Sequence, residues 1–280
     1  MTLKTILVSL NDFDRVDALL NVAGNLAAKH DAHITGLFVI PALRVYPVVT
    51  LQVPPEFFEA QRKAYEKRAE AVRKRFEGYC ARNELRCEWV KEESLSPLIA
   101  DTVIRHALQS DLVVASQPAQ EEISEIESDF AERIVMESGR PVLFVPRVGE
   151  FDKVGEVVVA GWNATREAAR AIYDALPILK LARDVRLAWV DPQKDADEDI
   201  QLPGAEMAAA LARHDVKAEA DELVSGGLDA ADVLLNHVDE TGADMLVLGA
   251  WGHSRLREYV FGGVTQSILT HMTVPVIFSH

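Results

Sequence analysis

The feature that most constrains the fold of this chain is an internal repeat. Three segments from the first half of the 280 residues recur in the same order in the second half. The matched pairs are Thr5–Asn11 with Val157–Asn163, Asp111–Ala115 with Asp244–Leu248, and Gly139–Phe144 with Thr273–Phe278. Three matches in one order indicate two copies of a single structural unit. We therefore predict two domains, residues 1–147 and 153–280, joined near Arg147–Lys153.

Hydrophobic patterning within each copy indicates the fold class. Short β-branched runs alternate with amphipathic stretches of helical period, which is typical of parallel sheets built from strand–helix–strand crossovers. Runs that are apolar on both sides, such as Val157–Ala160, need helices on both faces of the sheet. We predict an α/β fold of two tandem Rossmann-like domains, each with a five-stranded parallel sheet covered by helices on both faces. The predicted strands of the second copy are 156–162, 184–190, 217–224, 244–248 and 274–278.

The charge balance excludes some classes of partner. The net charge is −15 and the pI is about 5.0, so long-range repulsion opposes binding to nucleic acid or to an anionic membrane surface. Apolar residues make up 49% of the chain, enough for a packed globule, but no apolar run approaches membrane length. Because Met1–Lys4 leads directly into the first strand, no signal peptide is predicted. We expect a cytoplasmic protein.

Cysteines and histidines give no sign of a metal or redox centre. The two cysteines, Cys80 and Cys87, lack the spacing of such motifs, and we expect both to be reduced structural thiols. The histidines are scattered along the chain and form no ligand cluster. We interpret them as structural or surface residues, and we predict no metal site.

The two copies differ after their second strands. The first has a long Pro- and Val-rich loop, Pro41–Pro55, followed by an extended basic helix over Glu56–Arg82. The second has an acidic stretch, Asp191–Asp199, which we expect to be mobile. Charge runs of this kind are usually solvated, and neither is assigned a function.

The stretch Gly249–Thr265 (GAWGHSRLREYVFGGVT) lies between the fourth strand and a helix of the second copy. In an open parallel sheet, ligands bind beyond the carboxyl ends of the strands where the strand order reverses, and this stretch falls there. Flexible glycines, a helix start at Gly262–Gly263 and the cations His253, Arg255 and Arg257 favour a phosphate. The alternative is a structural loop whose glycines permit turns and whose arginines are solvated.

Other catalytic and nucleotide-binding motifs do not fit. A Walker loop needs a Lys that Gly262–Thr265 lacks, and no G-x-G-x-x-G follows either first strand. The segment Ser225–Ala230 resembles the SGGxDS loop of ATP pyrophosphatases but follows a third strand, and we expect Ser225 to cap the next helix. Ser254 follows His253 without a nucleophile elbow or a triad. No residue of the glycine loop is an obvious general base.

On these residues the sequence resembles the universal stress protein family in its tandem two-domain form, over essentially the whole chain. The family pattern G-x-x-G-x9-G-[Ser/Thr] is matched in spacing by Gly249, Gly252 and Gly262, while Gly263 stands at the Ser/Thr position. In nucleotide-binding members this loop holds the ATP phosphates, and residues that end the first and second strands hold ribose and adenine. The resemblance implies the binding residues Asn163, Val190, Leu248, Gly249, Gly252, Gly262, Gly263, Val264 and Thr265.

Two of these positions depart from the family pattern. Asn163 replaces the usual Asp, which keeps an acceptor and loses a charge. Gly263 lacks the hydroxyl of Ser or Thr but keeps its backbone N–H.

The first copy departs further, because an acidic stretch follows Ser116–Ala119 in place of the glycine loop. Its carboxylates are expected to repel a triphosphate, and we predict a degenerate first domain with a structural role. The residues are Glu121, Glu122, Glu125, Glu127 and Asp129.

The leading hypothesis is a stress-response module that binds ATP or a related adenine nucleotide, with or without Mg²⁺, in the second domain only. It would act as a regulatory binding module with at most slow ATP hydrolysis. Nucleotide would order the segment 250–261 and alter a surface that a protein partner of unknown identity reads. Two alternatives stay open: a nucleotide-free interaction and dimerisation protein, and an enzyme related to the ATP pyrophosphatases. A homodimer, in addition to the intramolecular domain pair, is also left open.

Overall fold

The computed structural model describes residues 2–42, 55–119, 126–192, 203–250 and 263–280. The strands of the first half are β1 (Thr5–Ser9), β2 (His33–Ile40), β3 (Arg86–Glu93), β4 (Leu112–Ser116) and β5 (Val142–Val145). Its helices are α1 (Val16–His30), α2 (Pro55–Arg82), α3 (Ile99–Ala107) and α4 (Phe130–Glu137), and a short 3-10 turn over Phe13–Arg15 precedes α1. The extended helix predicted for residues 56–82 is therefore confirmed as α2.

The second half repeats this order of elements. Its strands are β6 (Val157–Gly161), β7 (Asp184–Val190), β8 (Ala218–Leu223), β9 (Met245–Gly249) and β10 (Val276–Ser279). Its helices are α5 (Arg166–Asp174), α6 (Leu176–Leu179), α7 (Pro203–Ala212), α8 (Ala230–Thr241) and α9 (Gly263–His271). Each predicted strand of this half is present, with ends shifted by at most two residues.

All ten strands belong to one sheet, with the order β3-β2-β1-β4-β5-β10-β9-β6-β7-β8. Within each half the strands are parallel and the order is the same, so the predicted fold class is confirmed. The sequence did not predict that the two sheets would be continuous. They join because β5 and β10 pair antiparallel, with Leu143 opposite Ile277.

Helices cover both faces of this sheet, as the apolar strands require. One buried cluster joins the sheet to α1, α2, α5, α6 and α7, and the other joins it to α3, α4, α8 and α9. Neighbouring residues of a strand enter opposite clusters, as Ile6 and Leu7 do in β1.

A carboxylate at the start of the fourth strand fastens the amino end of the first strand in both halves. Asp111 accepts hydrogen bonds from the backbone N–H groups of Lys4 and Thr5, at 2.7 and 3.0 Å. Asp244 accepts them from Gly155 and Glu156, also at 2.7 and 3.0 Å. Burial raises the pKa of Asp244 against the effect of these hydrogen bonds. The repeat thus conserves a structural contact at the edge opposite to the candidate site.

The two cysteines correct an expectation from the sequence. Cys80 and Cys87 form a disulfide, with their Cα atoms 6.3 Å apart, so the prediction of two reduced thiols is wrong. The chain reverses between the end of α2 and the start of β3, with Glu84 at a φ of 52°, and this turn brings the two side chains together. Spacing along the sequence did not reveal that contact.

Candidate functional site

The candidate site lies where the strand order of the second half reverses. From β6 the chain continues outward through β7 and β8, whereas β9 and β10 lie on the other side of β6. The two strands that flank the reversal are in register, with Ala160 opposite Val247. Ligands of open parallel sheets bind beyond the carboxyl ends of such a pair. Asn163 and Gly249, both predicted from the sequence, lie at these two strand ends.

Gly249 has a packing role that sequence reasoning missed. A Cβ atom at this position would lie 2.4 Å from the carbonyl carbon of Glu167 and 2.5 Å from the amide nitrogen of Ala168. These are backbone atoms of the first turn of α5, which cannot move aside as a flexible side chain could. Gly249 is therefore required for α5 to approach the end of β9, independently of any ligand.

Asn163 is exposed and its side chain is used within its own turn. Its Oδ1 atom accepts hydrogen bonds from Thr165 Oγ1 at 2.7 Å and from the Thr165 N–H at 3.3 Å. Thr165 in turn caps α5 by accepting from the Ala168 N–H. Ala164 adopts a φ of 55° to make this tight connection. The carboxamide oxygen of Asn163 thus stabilises the start of α5.

With Asn163 turned towards Thr165, the N–H and carbonyl groups of Val190, called here the Val190 peptide, lie open at the end of β7 among the described residues. The Asp191 N–H donates to the Leu223 carbonyl on β8 at 2.8 Å, so the preceding residue directs its N–H and carbonyl towards β6. The Trp162 N–H bonds the Ala188 carbonyl, and among the described residues no further hydrogen bond joins the Val190 peptide to β6 or to Asn163. A donor and an acceptor are therefore presented side by side.

Apolar residues of the predicted site lie together on one face of the sheet. Leu248 belongs to the buried cluster beneath α8 and α9, and Val190 and Val264 pack against the same cluster. Thr265 is buried in the first turn of α9. A Cβ atom on Gly263 would meet no described residue within 4 Å, so the described part of the chain leaves space at the first position of α9. Gly252 and Gly262 lie outside the described residues.

A buried carboxylate that the sequence analysis did not single out lies beside these groups. The Glu167 side chain is 9% exposed and accepts hydrogen bonds from the Arg166 guanidinium, at 2.8 Å from Nη2. Burial opposes its ionisation, but hydrogen bonds from its own N–H and from Arg166 outweigh burial, so its pKa is lowered. The positive charge of His280, whose Nδ1 lies 3.0 Å from the Ala250 carbonyl, acts in the same direction. A carboxylate held in this way is a weak proton acceptor.

At the matched crevice of the first half, the chain fills the strand ends with its own side chains. Asn11 is buried, donating to the Val39 carbonyl at 2.7 Å and accepting from the Val39 N–H at 3.0 Å. Arg147 forms an ion pair with Asp12 at 2.8 Å. Of the acidic residues that follow β4, Glu127 accepts from the N–H groups at the start of α3.

The remaining acidic residues of that stretch are only partly described. Asp129 precedes α4 at its N-cap position, and its side chain makes no capping hydrogen bond. Glu121, Glu122 and Glu125 lie outside the described residues.

The segment after β8 corrects the expectation that Ser225 caps a helix. Asp229 is the N-cap residue of α8, whereas the Ser225 hydroxyl donates to Asp191 Oδ2 at 2.5 Å. The Ser225 N–H donates to Asp191 Oδ1 at 3.0 Å. The capping prediction is wrong because the ends of β7 and β8 are adjacent, which gives Ser225 a charged partner. In the sequence, Asp191 stands out only as the first residue of an acidic run.

Two further observations on the described residues concern metals and membranes. No group of three or more His, Cys, Asp or Glu side chains in that part of the chain could hold a metal ion. No helix there has the length and apolar character needed to cross a membrane.

Comparison with known proteins gives a family match in the second half of the chain. Residues 160–280 match the universal stress protein family. A universal stress protein of Synechocystis sp. is 28% identical over 153 residues, which cover 52% of this chain and 49% of the relative. This chain therefore spans about half the length of that curated relative.

Solved structures extend the likeness to the whole fold. A universal stress protein from Archaeoglobus fulgidus is 15% identical, covers 98% of this chain and 97% of its own, and gives a TM-score of 0.72. A family protein from Arabidopsis thaliana with AMP bound is 15% identical over 52% of this chain and 93% of its own. Its TM-score of 0.35 is too low to position AMP here. The second half, residues 160–280, thus matches the universal stress protein family in sequence, and the whole chain shares the fold of a solved universal stress protein.

Proposed function

We propose that the chain binds ATP or a related adenine nucleotide at the carboxyl edge of the second half. The observation that carries this proposal is the open Val190 peptide, because its first-half counterpart, Val39, is closed by Asn11. Backbone donors and acceptors are almost always paired when they are partly buried. A purine edge, which offers a donor and an acceptor side by side, is the partner that such a peptide would take.

The start of α9 is the position that suits the phosphates. Its first N–H groups have no partner within the helix, and the helix dipole favours an anion there. The free space beside Gly263 allows a phosphate to approach the backbone closely. In the sequence, His253, Arg255 and Arg257 precede this helix and add positive charge to an acidic chain. Gly252 and Gly262 complete the proposed phosphate loop.

Strand spacing agrees with a ligand of nucleotide length. The end of β9 and the end of β7 are separated by β6, which makes two strand spacings or about 10 Å. A base on the Val190 peptide and phosphates at α9 are separated by a ribose, which would lie beyond β6 near Asn163. Leu248, Val264 and Thr265 would line the apolar floor between them.

Binding in the second half only is part of the proposal. In the first half, Asn11 bonds Val39, and Arg147 pairs with Asp12. These contacts fill positions that a base or a ribose would need, and the sequence between β4 and α4 lacks the glycines of a phosphate loop. We propose that residues 1–147 form a structural domain and residues 153–280 the nucleotide-binding domain.

The action proposed for the protein is regulatory binding rather than catalysis. The one buried carboxylate that we identify near the site, Glu167, has a lowered pKa and is held by Arg166, which makes it a poor general base. Nucleotide contacts with the segment 250–261 would change a surface that a protein partner reads. ATP with Mg²⁺, and a site of action in the cytoplasm, belong to this proposal.

Mass spectrometry and calorimetry test the proposal. Molecules released by denaturing freshly purified protein are identified, and the stripped protein is titrated with ATP and MgCl₂. We expect one site per chain and loss of binding in Gly252→Val. Gly78→Val is the matched control, because a Cβ on Gly78 meets only the end of the Arg82 side chain, at 3.7 Å. Two sites per chain would refute the structural role of the first half.

Two observations favour a second candidate, an interaction protein without nucleotide. The Asn163 oxygen that would hold ribose is already bonded to Thr165, and Gly263 offers no hydroxyl. Under this alternative the titration gives no heat and denaturation releases no nucleotide. Binding of unmodified protein to ATP at one site would exclude it.

A further inference from the structure

The Gln117 side chain of the first half is buried against a helix of the second half. Its Nε2 atom donates hydrogen bonds to the Leu269 carbonyl at 2.8 Å and to the Thr270 carbonyl at 3.0 Å. Its Oε1 atom accepts a hydrogen bond from the Arg147 N–H at 2.8 Å, and the residue is 8% exposed. Contacts on both sides of the carboxamide therefore fix its orientation.

The two carbonyls that Gln117 bonds belong to the last turn of α9. They follow Ile268, whose carbonyl accepts a hydrogen bond from the Met272 N–H at 2.8 Å. Carbonyls at a helix C-terminus have no N–H partner further along the helix, and a side-chain donor satisfies them. Gln117 thus caps the C-terminus of α9 from the other half of the chain.

The second half does not return this contact. Gln117 and Ala250 occupy the same position in the two halves, because the Gln117 N–H donates to the Val145 carbonyl as the Ala250 N–H donates to the Ser279 carbonyl, both at 2.8 Å. Alanine has no polar side chain, so this position offers α4 no hydrogen bond. The capped helix is the one that belongs to the half proposed to bind nucleotide.

The cap acts on a helix that is short. Helix α9 has nine residues, and a helix of that length is marginal in water without tertiary contacts. Its Ile268 and Leu269 side chains are buried against the sheet, near the capped end. Because the helix is rigid, fixing this end also fixes the direction of the first N–H groups, which are proposed to meet the phosphates. Binding groups that are ordered in advance cost less to order when the ligand arrives.

We infer that Gln117 is a positioning residue for the phosphates of the nucleotide, acting through α9. This inference rests on the proposed function and assigns to the first half a part in the binding site of the second. The carboxamide donor also suits the negative end of the helix dipole, whose positive end faces the phosphates. The first half would thus prepare the site without touching the ligand.

Calorimetric titration of Gln117→Glu with ATP and MgCl₂ tests the inference. Glu has the length of Gln and keeps an oxygen for the Arg147 N–H, but it loses the donor to α9 and places a negative charge at the helix C-terminus. We expect this variant to bind ATP at least about threefold more weakly than the unmodified protein. Gln117→Ala, which copies the matched Ala250, should show the same loss and serves if the Glu variant does not fold.

Arg147→Met is the matched control, because it breaks the ion pair with Asp12 but keeps the N–H that Gln117 accepts. Urea unfolding should show that it is destabilised, while its affinity for ATP stays within about twofold of that of the unmodified protein. A smaller loss than threefold in the folded Gln117 variants, or an equal loss in Arg147→Met, would overturn the inference and leave nucleotide binding intact. Absence of ATP binding in the unmodified protein would instead refute the proposed function, and the inference with it.

Discussion

Asn11 and Asn163 occupy the same position in the two halves, two residues after the first strand, and their side chains make opposite contacts. Asn11 is buried and bonds both polar groups of the Val39 peptide. Asn163 is exposed, bonds Thr165, and leaves the matching Val190 peptide open. An identical residue at an equivalent position therefore closes one crevice and leaves the other open. The difference arises from how the following helix begins.

The helix starts explain this difference. In the first half a 3-10 turn, Phe13–Arg15, delays α1, whereas α5 begins five residues after β6 ends. The shorter connection draws Asn163 towards the capping residue Thr165 and brings α5 against Gly249. The length of the connection between the first strand and the first helix therefore helps to determine which half has an open crevice, even where the residue type is the same.

The largest expected effect concerns Gly249, against which the first turn of α5 packs. Gly249→Ala places a Cβ against the backbone of Glu167 and Ala168, and we expect it to lower the free energy of unfolding by about 3 kcal/mol. The matched first-half position is Ser116, so Ser116→Ala should cost about 1 kcal/mol or less. Urea unfolding of both variants measures the difference. Equal losses would mean that the two helix starts are not packed differently.

The two asparagines themselves give the next effect. Asn11→Ala removes two hydrogen bonds and leaves the Val39 peptide unpaired in a buried place, and we expect a loss of about 2 kcal/mol. Asn163→Ala removes contacts within an exposed turn and should cost about 0.5 kcal/mol. Chemical denaturation checks both values. A larger loss of stability in Asn163→Ala than in Asn11→Ala would contradict the different roles of the two residues.

We expect the first half to cause the loss of folding stability at acid pH. His30, at the end of α1, is buried, and neither ring nitrogen has a hydrogen-bond partner among the described residues; burial, with Lys29 and Lys4, lowers its pKa below 6.5. The unfolded chain therefore binds this proton more readily than the folded chain. The stabilising contribution is complete above about pH 6.5 and is lost as the pH falls below that value.

Unfolding experiments across this pH range check the assignment. His30→Leu should flatten the dependence of the free energy of unfolding on pH below 6.5, while the exposed control His271→Asn should leave it unchanged. Hydrogen exchange should show α1 opening before α5 as the pH falls. An unaltered slope in His30→Leu would assign the acid sensitivity elsewhere.

The smallest expected effect concerns the first residue of α9. Because a Cβ on Gly263 has free space, Gly263→Ser should fold normally and add a hydroxyl that can donate to a phosphate. We expect ATP affinity to rise by about fivefold, the equivalent of one net hydrogen bond. Gly263→Ala, with a methyl group and no hydroxyl, is the control. A similar gain in both variants would attribute the effect to the helix start instead.

Much of the fold follows from local patterns in the sequence. The repeat and the alternation of β-branched and amphipathic runs predict every strand of the second half, because a buried parallel strand needs a continuous apolar run. The pairing of β5 with β10 was not predicted, since both are short apolar strands and no local period distinguishes a sheet edge from an inner strand. The disulfide was missed because it depends on the turn between α2 and β3.

The candidate site was less accessible to sequence reasoning. Spacing and resemblance identified Gly249, but as flexible backbone, whereas its packing depends on the approach of α5, which is a tertiary contact. Ser225 and Asp191 lie 34 residues apart, and only the adjacency of β7 and β8 brings them together. The sequence predicted crevice residues that belong to a local motif. It did not predict roles that depend on a contact with a neighbouring strand or helix.

The joint between β5 and β10 has a consequence for synthesis on the ribosome. One edge of β5 pairs with β4 and the other with β10, whose last residue follows Val145 by about 130 positions along the chain. At about 5–20 residues per second, the edge that meets β10 stays uncovered for roughly 7–27 seconds while the second half is made. During this interval a nascent first half offers one unpaired edge of an apolar strand to any neighbour. The need for chaperones should therefore be greater during synthesis on the ribosome than after the chain is complete.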